Sequence, residues 1–143
     1  MNAFALPEGS VNPLEEEPAP PLPGREKANP LQPWAVRALG AGPDSALLSW
    51  LYHVLRADPN THPKAAAFCT YWKGRKCVAA SHADIGFVLR LSEKQVKSAV
   101  ARLRKEGFVY TERGRNEFGV KTMFTLSEDQ CLEAQIADRD ESD

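Results

Sequence analysis

The chain has 143 residues, 43% of them apolar and 26% charged, and a formal net charge of −1, which corresponds to one domain of ordinary size with an apolar core. No run approaches the roughly 18 apolar residues of a membrane-spanning helix, and the three cysteines have the irregular spacing of a reduced protein rather than of a disulfide framework. We therefore expect a cytoplasmic protein without a membrane segment.

Proline and acidic residues dominate the first part of the chain. Nine of the eleven prolines precede Asp44, and the run Glu15-Glu16-Glu17 lies among them. Such a segment has too little apolar surface to offset its ordering entropy, so residues 1–43 are predicted to form a disordered, Pro-rich arm. The arm is a candidate contact for a protein partner. The folded domain is predicted to span residues 44–137 and to be followed by an acidic tail at 138–143.

Charge is distributed unevenly along the sequence. Residues 64–125 carry thirteen Lys or Arg against five Asp or Glu, whereas residues 1–63 carry four against seven and residues 126–143 carry one against seven. A basic centre between acidic flanks is typical of a nucleic-acid-binding core. A solvated basic surface has the same composition, and charge alone leaves both interpretations open.

The domain is predicted to begin with a helix and a β-hairpin. Asp44 can cap a helix whose leucines and valines recur at three- and four-residue steps, and Pro59 prevents its continuation. Residues 68–72 and 77–79 are rich in β-prone side chains and flank a turn at 73–76.

Two capping boxes predict the next two helices. Ser81 and Asp84 have the required spacing, as do Ser92 and Gln95. Gly107 is predicted to end the second helix in the left-handed region. Two capped helices separated by about three residues are typical of a helix-turn-helix. The residues predicted to face the core are Ile85, Val88 and Leu89 in the first helix and Val96, Ala99, Val100 and Leu103 in the second.

A second hairpin and a last helix complete the predicted domain. Strand-like residues 108–113 and 120–126 flank a glycine-bounded turn at 114–119. Ser127 can cap a helix that runs to about Ala137. Leu132 and Ile136 lie on one side of this helix, and they either pair across a two-fold axis in a homodimer or pack on the first helix.

The order of two capped helices and a hairpin resembles the winged helix-turn-helix superfamily, which implies an α+β fold with a small β-hairpin wing. Residues 81–125 are similar to the DNA-binding modules of GntR- and MarR-type bacterial regulators and of plasmid and phage replication proteins. The resemblance implies that the second helix recognises DNA. We recognise no effector-binding domain in the residues after the wing, and the wing carries Glu112 and Glu117, which oppose phosphate binding unless they point away. The segments that carry the likeness are SEKQVK (92–97), AVARL (99–103) and EGFV (106–109).

The resemblance and the side-chain chemistry together predict a DNA-binding surface. The start of the second helix is expected in the groove, where Gln suits adenine and Lys suits guanine. Arginines of a wing suit the minor groove or its phosphates. For each set of residues the alternative is a solvated polar surface. The predicted groove contacts are Lys94, Gln95, Lys97 and Ser98, and the predicted phosphate contacts on the same helix are Ser92 (chiefly a cap) and Arg102. The predicted wing contacts are Arg113, Arg115, Asn116 and Lys121. A third basic patch, predicted to contact the DNA backbone, consists of Lys73, Arg75 and Lys76.

No enzymatic activity, metal or cofactor is predicted. Cys69, Cys77 and His82 match no compact zinc-ligand spacing, and no nucleophile–base arrangement follows from the sequence. We therefore expect a sequence-specific binder of double-stranded DNA, and a transcriptional regulator of bacterial, plasmid or phage origin is the leading hypothesis. One alternative is a plasmid or phage replication initiator or accessory protein that binds origin repeats, and the other is a winged-helix protein-interaction module without DNA binding.

Overall fold

A computed structural model of the chain describes residues 31–116 and 119–142. Within them the protein is an α+β structure in which helices cover one face of a four-stranded antiparallel sheet. No helix in these residues is long and apolar enough to cross a membrane. The elements are α1 (Pro33–Leu39), α2 (Pro43–Arg56), α3 (Pro63–Ala66), β1 (Cys69–Trp72), β2 (Arg75–Ala80), α4 (His82–Leu89), α5 (Glu93–Lys105), β3 (Val109–Asn116), β4 (Gly119–Leu126) and α6 (Glu128–Ser142).

The strand order of the sheet is β1-β2-β4-β3, so the two predicted hairpins join through β2 and β4. β2 pairs with β4 only from Val78 opposite Phe124 to Ala80 opposite Thr122. The β3–β4 pairing continues to Asn116 opposite Gly119. The end of this hairpin therefore extends beyond the part of the sheet that β2 supports.

The main core lies between the helices and one face of the sheet. It contains the predicted apolar stripes of α2 and α5, and Leu47, Leu51 and Leu103 are at most 1% exposed. The other sheet face carries a small cluster of Cys77, Ala79 and Met123, against which Trp72 packs. Alternate residues of a strand point to opposite faces of a sheet. The side chains of β3 are therefore divided between the core face and this outer face.

A short helix precedes the predicted start of the domain. In α1, Trp34 is 6% exposed and its ring lies 5.1 Å from that of Tyr52, while Arg37 Nε bonds Asp138 Oδ1 of α6 at 2.7 Å. The predicted domain start at Asp44 was therefore wrong, since residues 33–39 are an ordered part of the domain. A seven-residue helix shows little periodicity, and its stability comes from tertiary packing. Residues 1–30 of the predicted arm lie outside the described residues.

The other differences from prediction lie at element edges. Val88 was predicted to face the core but is 39% exposed. Gly114 was assigned to a turn but lies in β3 opposite Lys121, and the side chains of Met123 and Trp72 pack against it on the outer sheet face. α6 continues past its predicted end near Ala137 to Ser142, and so includes most of the predicted acidic tail.

Candidate nucleic-acid interface

Capping and packing fix the orientation of α5. The Ser92 side chain accepts a hydrogen bond from the Gln95 amide at 3.1 Å, and Gln95 Oε1 accepts one from the Ser92 amide at 2.9 Å. The helix ends before Gly107, which has a φ of 82° as predicted. The predicted stripe Val96, Ala99, Val100 and Leu103 is buried, so the opposite side of the helix faces solvent.

The solvent-facing side of α5 is predominantly basic. The series 94–97–101–104 and 94–98–101–105 both advance by three or four residues at each step, which places these residues on one helix face, and all are exposed. Within residues 31–116 and 119–142, the four cations of this face have no ion-pair partner. The exposed carboxylate of Glu93 borders the face at the start of the helix, four residues before Lys97. We call it the basic face, and it consists of Lys94, Lys97, Ser98, Ala101, Arg104 and Lys105.

The basic face continues onto the β3–β4 hairpin. A shallow cleft connects them, lined by Ala101, Arg104 and Lys105 of α5 and by residues 109–111 of β3. Arg113 and Arg115 lie four and six residues after Val109 in the same strand. Residues separated by an even number point to the same sheet face, so both arginines share the face of Val109. Both arginines are exposed, and neither has a partner in the described part of the chain. The end of the hairpin thus adds two cations to the surface beside α5.

Gln95 is held by its own helix cap. Recognition of adenine by an amide requires both its oxygen and its nitrogen, but the Gln95 oxygen already bonds the Ser92 amide. Gln95 also lies outside the basic face, on the side of the helix shared with Arg102. Reading a base with both atoms of the Gln95 amide would therefore break the capping box. Lys94, Lys97 and Ser98 are better placed to contact bases.

Arg102 makes internal ion pairs rather than presenting a free guanidinium. Its Nη1 lies 3.1 Å from Asp44 Oδ2 in α2, and its Nε lies 3.5 Å from Glu106 Oε2. This residue therefore joins α5 to the start of α2, and its predicted phosphate contact would have to compete with these ion pairs. The sequence could not indicate this pairing because Asp44 is far away along the chain.

Lys121 likewise has a structural partner. Its Nζ bonds Asp84 Oδ2 at 2.9 Å, and only 19% of its side chain is exposed. Burial would raise the pKa of Asp84, but the hydrogen bonds from Lys121 and Ser81 outweigh burial and lower it. Lys121 thus ties β4 to the first turn of α4, and its predicted wing contact with DNA would have to compete with this ion pair.

The third predicted basic patch is divided by its contacts. Lys73 pairs with Glu112, and Lys76 Nζ donates to the carbonyl of Leu55 at 2.8 Å. Arg75 is exposed without a partner among the described residues, and it lies on the outer sheet face opposite Trp72. These three cations therefore do not form one contact surface.

The acidic residue of β3 points away from the basic face. Glu112 is opposite Met123 and so belongs to the outer sheet face. The hydrogen bond from Lys73 lowers the pKa of its carboxyl. Glu117 and the side chain of Asn116 lie outside the described residues. The objection raised by Glu112 to phosphate binding is thus removed.

Two cations of the interface were missed from the sequence. Arg104 and Lys105 lie ten and eleven residues after Lys94, which is three turns of helix and the same face. That spacing was available in the sequence. Their position beside β3 was not, because it depends on how the hairpin packs against α5.

The cysteines and the described acidic side chains form no metal site. Within the described residues no three His, Cys, Asp or Glu side chains lie close enough together to hold a metal ion. Burial raises the pKa of Cys69 and Cys77, and it raises that of Cys131 to about 12. All three are free thiols, of which Cys77 and Cys131 are buried and Cys69 is partly buried, and buried thiols behave as core residues.

The chain has no match among known proteins in any of three comparisons. No family model, no curated protein and no solved structure matches it.

Proposed function

We propose that this protein is a winged helix-turn-helix protein that binds double-stranded DNA sequence-specifically and acts as a transcriptional regulator of bacterial, plasmid or phage origin. In this interpretation α4 and α5 are the two helices of the motif, α5 is the recognition helix, and the β3–β4 hairpin is the wing.

The observation that carries the proposal is the basic face with its continuation on β3. Phosphate binding requires cations that are free of internal partners, and Lys94, Lys97, Arg104, Arg113 and Arg115 meet this requirement within the described residues. A randomly solvated helix surface mixes both signs of charge. On the exposed side of α5 the carboxylates are confined to the ends of the helix: Glu93 lies four residues before Lys97, and Glu106 pairs with Arg102.

The packing of α4 on α5 also supports the motif. Arg90 ends α4 with a φ of 60°, and Ser92 caps α5 two residues later. Gly86 lets the carbonyl of Leu91 approach α4 closely. A tight turn with a glycine nearby is typical of the helix-turn-helix.

Two variants on different surfaces test the proposal. Lys94→Ala combined with Lys97→Ala removes two cations from the basic face, and we expect at least about tenfold weaker binding to a short duplex at about 0.1 M salt. Arg75→Ala removes an exposed cation from the outer sheet face and should leave the affinity within about twofold. Fluorescence anisotropy of a labelled duplex measures both. Equal effects of the two variants, or no duplex binding by the wild type, would exclude the proposed surface.

A further inference from the structure

The α6 helix carries an exposed stripe that the proposed DNA-binding surface does not use. The stripe consists of Asp129, Leu132, Ile136 and Arg139, and we call it the α6 stripe. Its steps of three, four and three residues are those of a coiled-coil seam. Leu132 is 51% and Ile136 41% exposed, and both charged residues are exposed as well. Cys131, which α6 buries in the core, lies on a different side of the helix.

The α6 stripe is complementary to itself when two helices run antiparallel. Its members are symmetrical about residue 134, so a two-fold axis there places Leu132 opposite Ile136 of a second copy. The same axis places Asp129 opposite Arg139 of the second copy, on both sides of the apolar pair. In a parallel pair, each carboxylate would face a carboxylate and each guanidinium a guanidinium. The charges thus favour the antiparallel arrangement.

We propose that the α6 stripe binds a second copy of this chain, forming an antiparallel two-fold helix pair centred on residue 134. Arg139 is available for the pairing because, among the described residues, it has no ion-pair partner within its own chain. A partner of another sequence would have to match two charges and two apolar side chains in one register. A second copy matches all four through symmetry alone.

The small size of the stripe implies a weak dimer. Stable interfaces bury about 800 Å² on each partner, whereas the α6 stripe offers two half-exposed apolar side chains and two charges. The dimer should therefore form at high micromolar protein concentration and dissociate on dilution. The stripe shares no residue with the basic face, so failure of either proposal leaves the other standing.

Sedimentation equilibrium of the full chain without DNA, from about 5 µM to about 1 mM, measures the association. We expect a reversible monomer–dimer equilibrium that Ile136→Glu abolishes. The single reversals Asp129→Arg and Arg139→Asp each place like charges opposite each other twice and should weaken the dimer about tenfold. Glu133→Arg makes the same charge change as Asp129→Arg on the same helix but outside the stripe, and should change the association less than about threefold.

The double reversal distinguishes the proposed geometry from general damage to the helix. Asp129→Arg with Arg139→Asp restores opposite charges across the axis, and we expect association within about threefold of the wild type. Both reversals weaken α6 through the helix dipole, so recovery in the double variant cannot come from helix stability. A wild type that stays monomeric throughout the range, a dimer insensitive to Ile136→Glu, or a double variant no better than the singles would overturn the proposal.

Discussion

Gly86 is the position where α4 meets the turn before α5 most closely. A β-carbon there would lie 2.6 Å from the carbonyl oxygen of Leu91 and 3.8 Å from Cγ2 of Val96. The Leu91 amide also donates to the Gly86 carbonyl at 2.9 Å. The close contact is with backbone, which cannot rotate away as a side chain would. Gly86→Ala should therefore push the turn away from α4.

Two opposing effects set the size of the change. Alanine is favoured over glycine in a helix interior by about 1 kcal/mol. Forcing an extra methyl group into a packed site costs about 1–3 kcal/mol, and loss of the Leu91–Gly86 hydrogen bond would add about 1 kcal/mol. The net result should be a loss of about 1–3 kcal/mol in the free energy of unfolding. An unhindered helical glycine would give the opposite sign.

Urea denaturation at neutral pH measures this difference. Ala83→Gly is the control, because Ala83 is exposed on the same helix and reports the local preference for alanine, at most about 1 kcal/mol. If Gly86→Ala stabilised the protein by a similar amount, the close approach of α4 to the turn would not exist, and the support that it lends to a helix-turn-helix would be lost.

Two further predictions concern stability. Deleting residues 1–40 should lower the melting temperature by many degrees, because it removes Trp34, whose burial alone is worth about 3–5 kcal/mol; an unchanged midpoint would mean that α1 does not pack on the domain. Because folding lowers the pKa of Asp84, its ionised carboxylate stabilises the folded protein. This stabilisation is present above the unfolded pKa near 4 and is lost as the pH falls through the lower folded pKa. Stability measured at pH 7 and pH 3 should therefore differ more in the wild type than in Lys121→Met, and equal differences would show that Lys121 does not stabilise the carboxylate.

Local signals in the sequence predicted the elements around α5 correctly. The two capping boxes at Ser81 and Ser92 form as their spacing requires, because a cap depends only on residues within one turn. The buried stripe of α5 follows from helical periodicity in the same way. The left-handed Gly107 is also a local property of the chain.

The parts that sequence analysis missed depend on contacts distant in the chain. Arg102 and Lys121 look like free cations until Asp44 and Asp84 are brought beside them by folding. Trp34 lies in too short a segment to show a helical period, and it is buried only because α2 and α6 pack around α1. With Arg102 and Lys121 engaged in these pairs, the free cations of α5 are Lys94 and Lys97, which were predicted, and Arg104 and Lys105, which were not.

The dependence of duplex affinity on salt tests DNA binding most directly. Each phosphate contact contributes about −0.9 to the slope of log K against log salt concentration. The free cations of the basic face and of β3 number six, so a random-sequence duplex should give a linear slope no steeper than about −5. Removing Lys94 and Lys97 should make that slope shallower by up to about 2, and Arg75→Ala should not change it. A wild-type affinity that does not vary with salt, or a slope that the double substitution leaves unchanged, would contradict DNA binding through this surface.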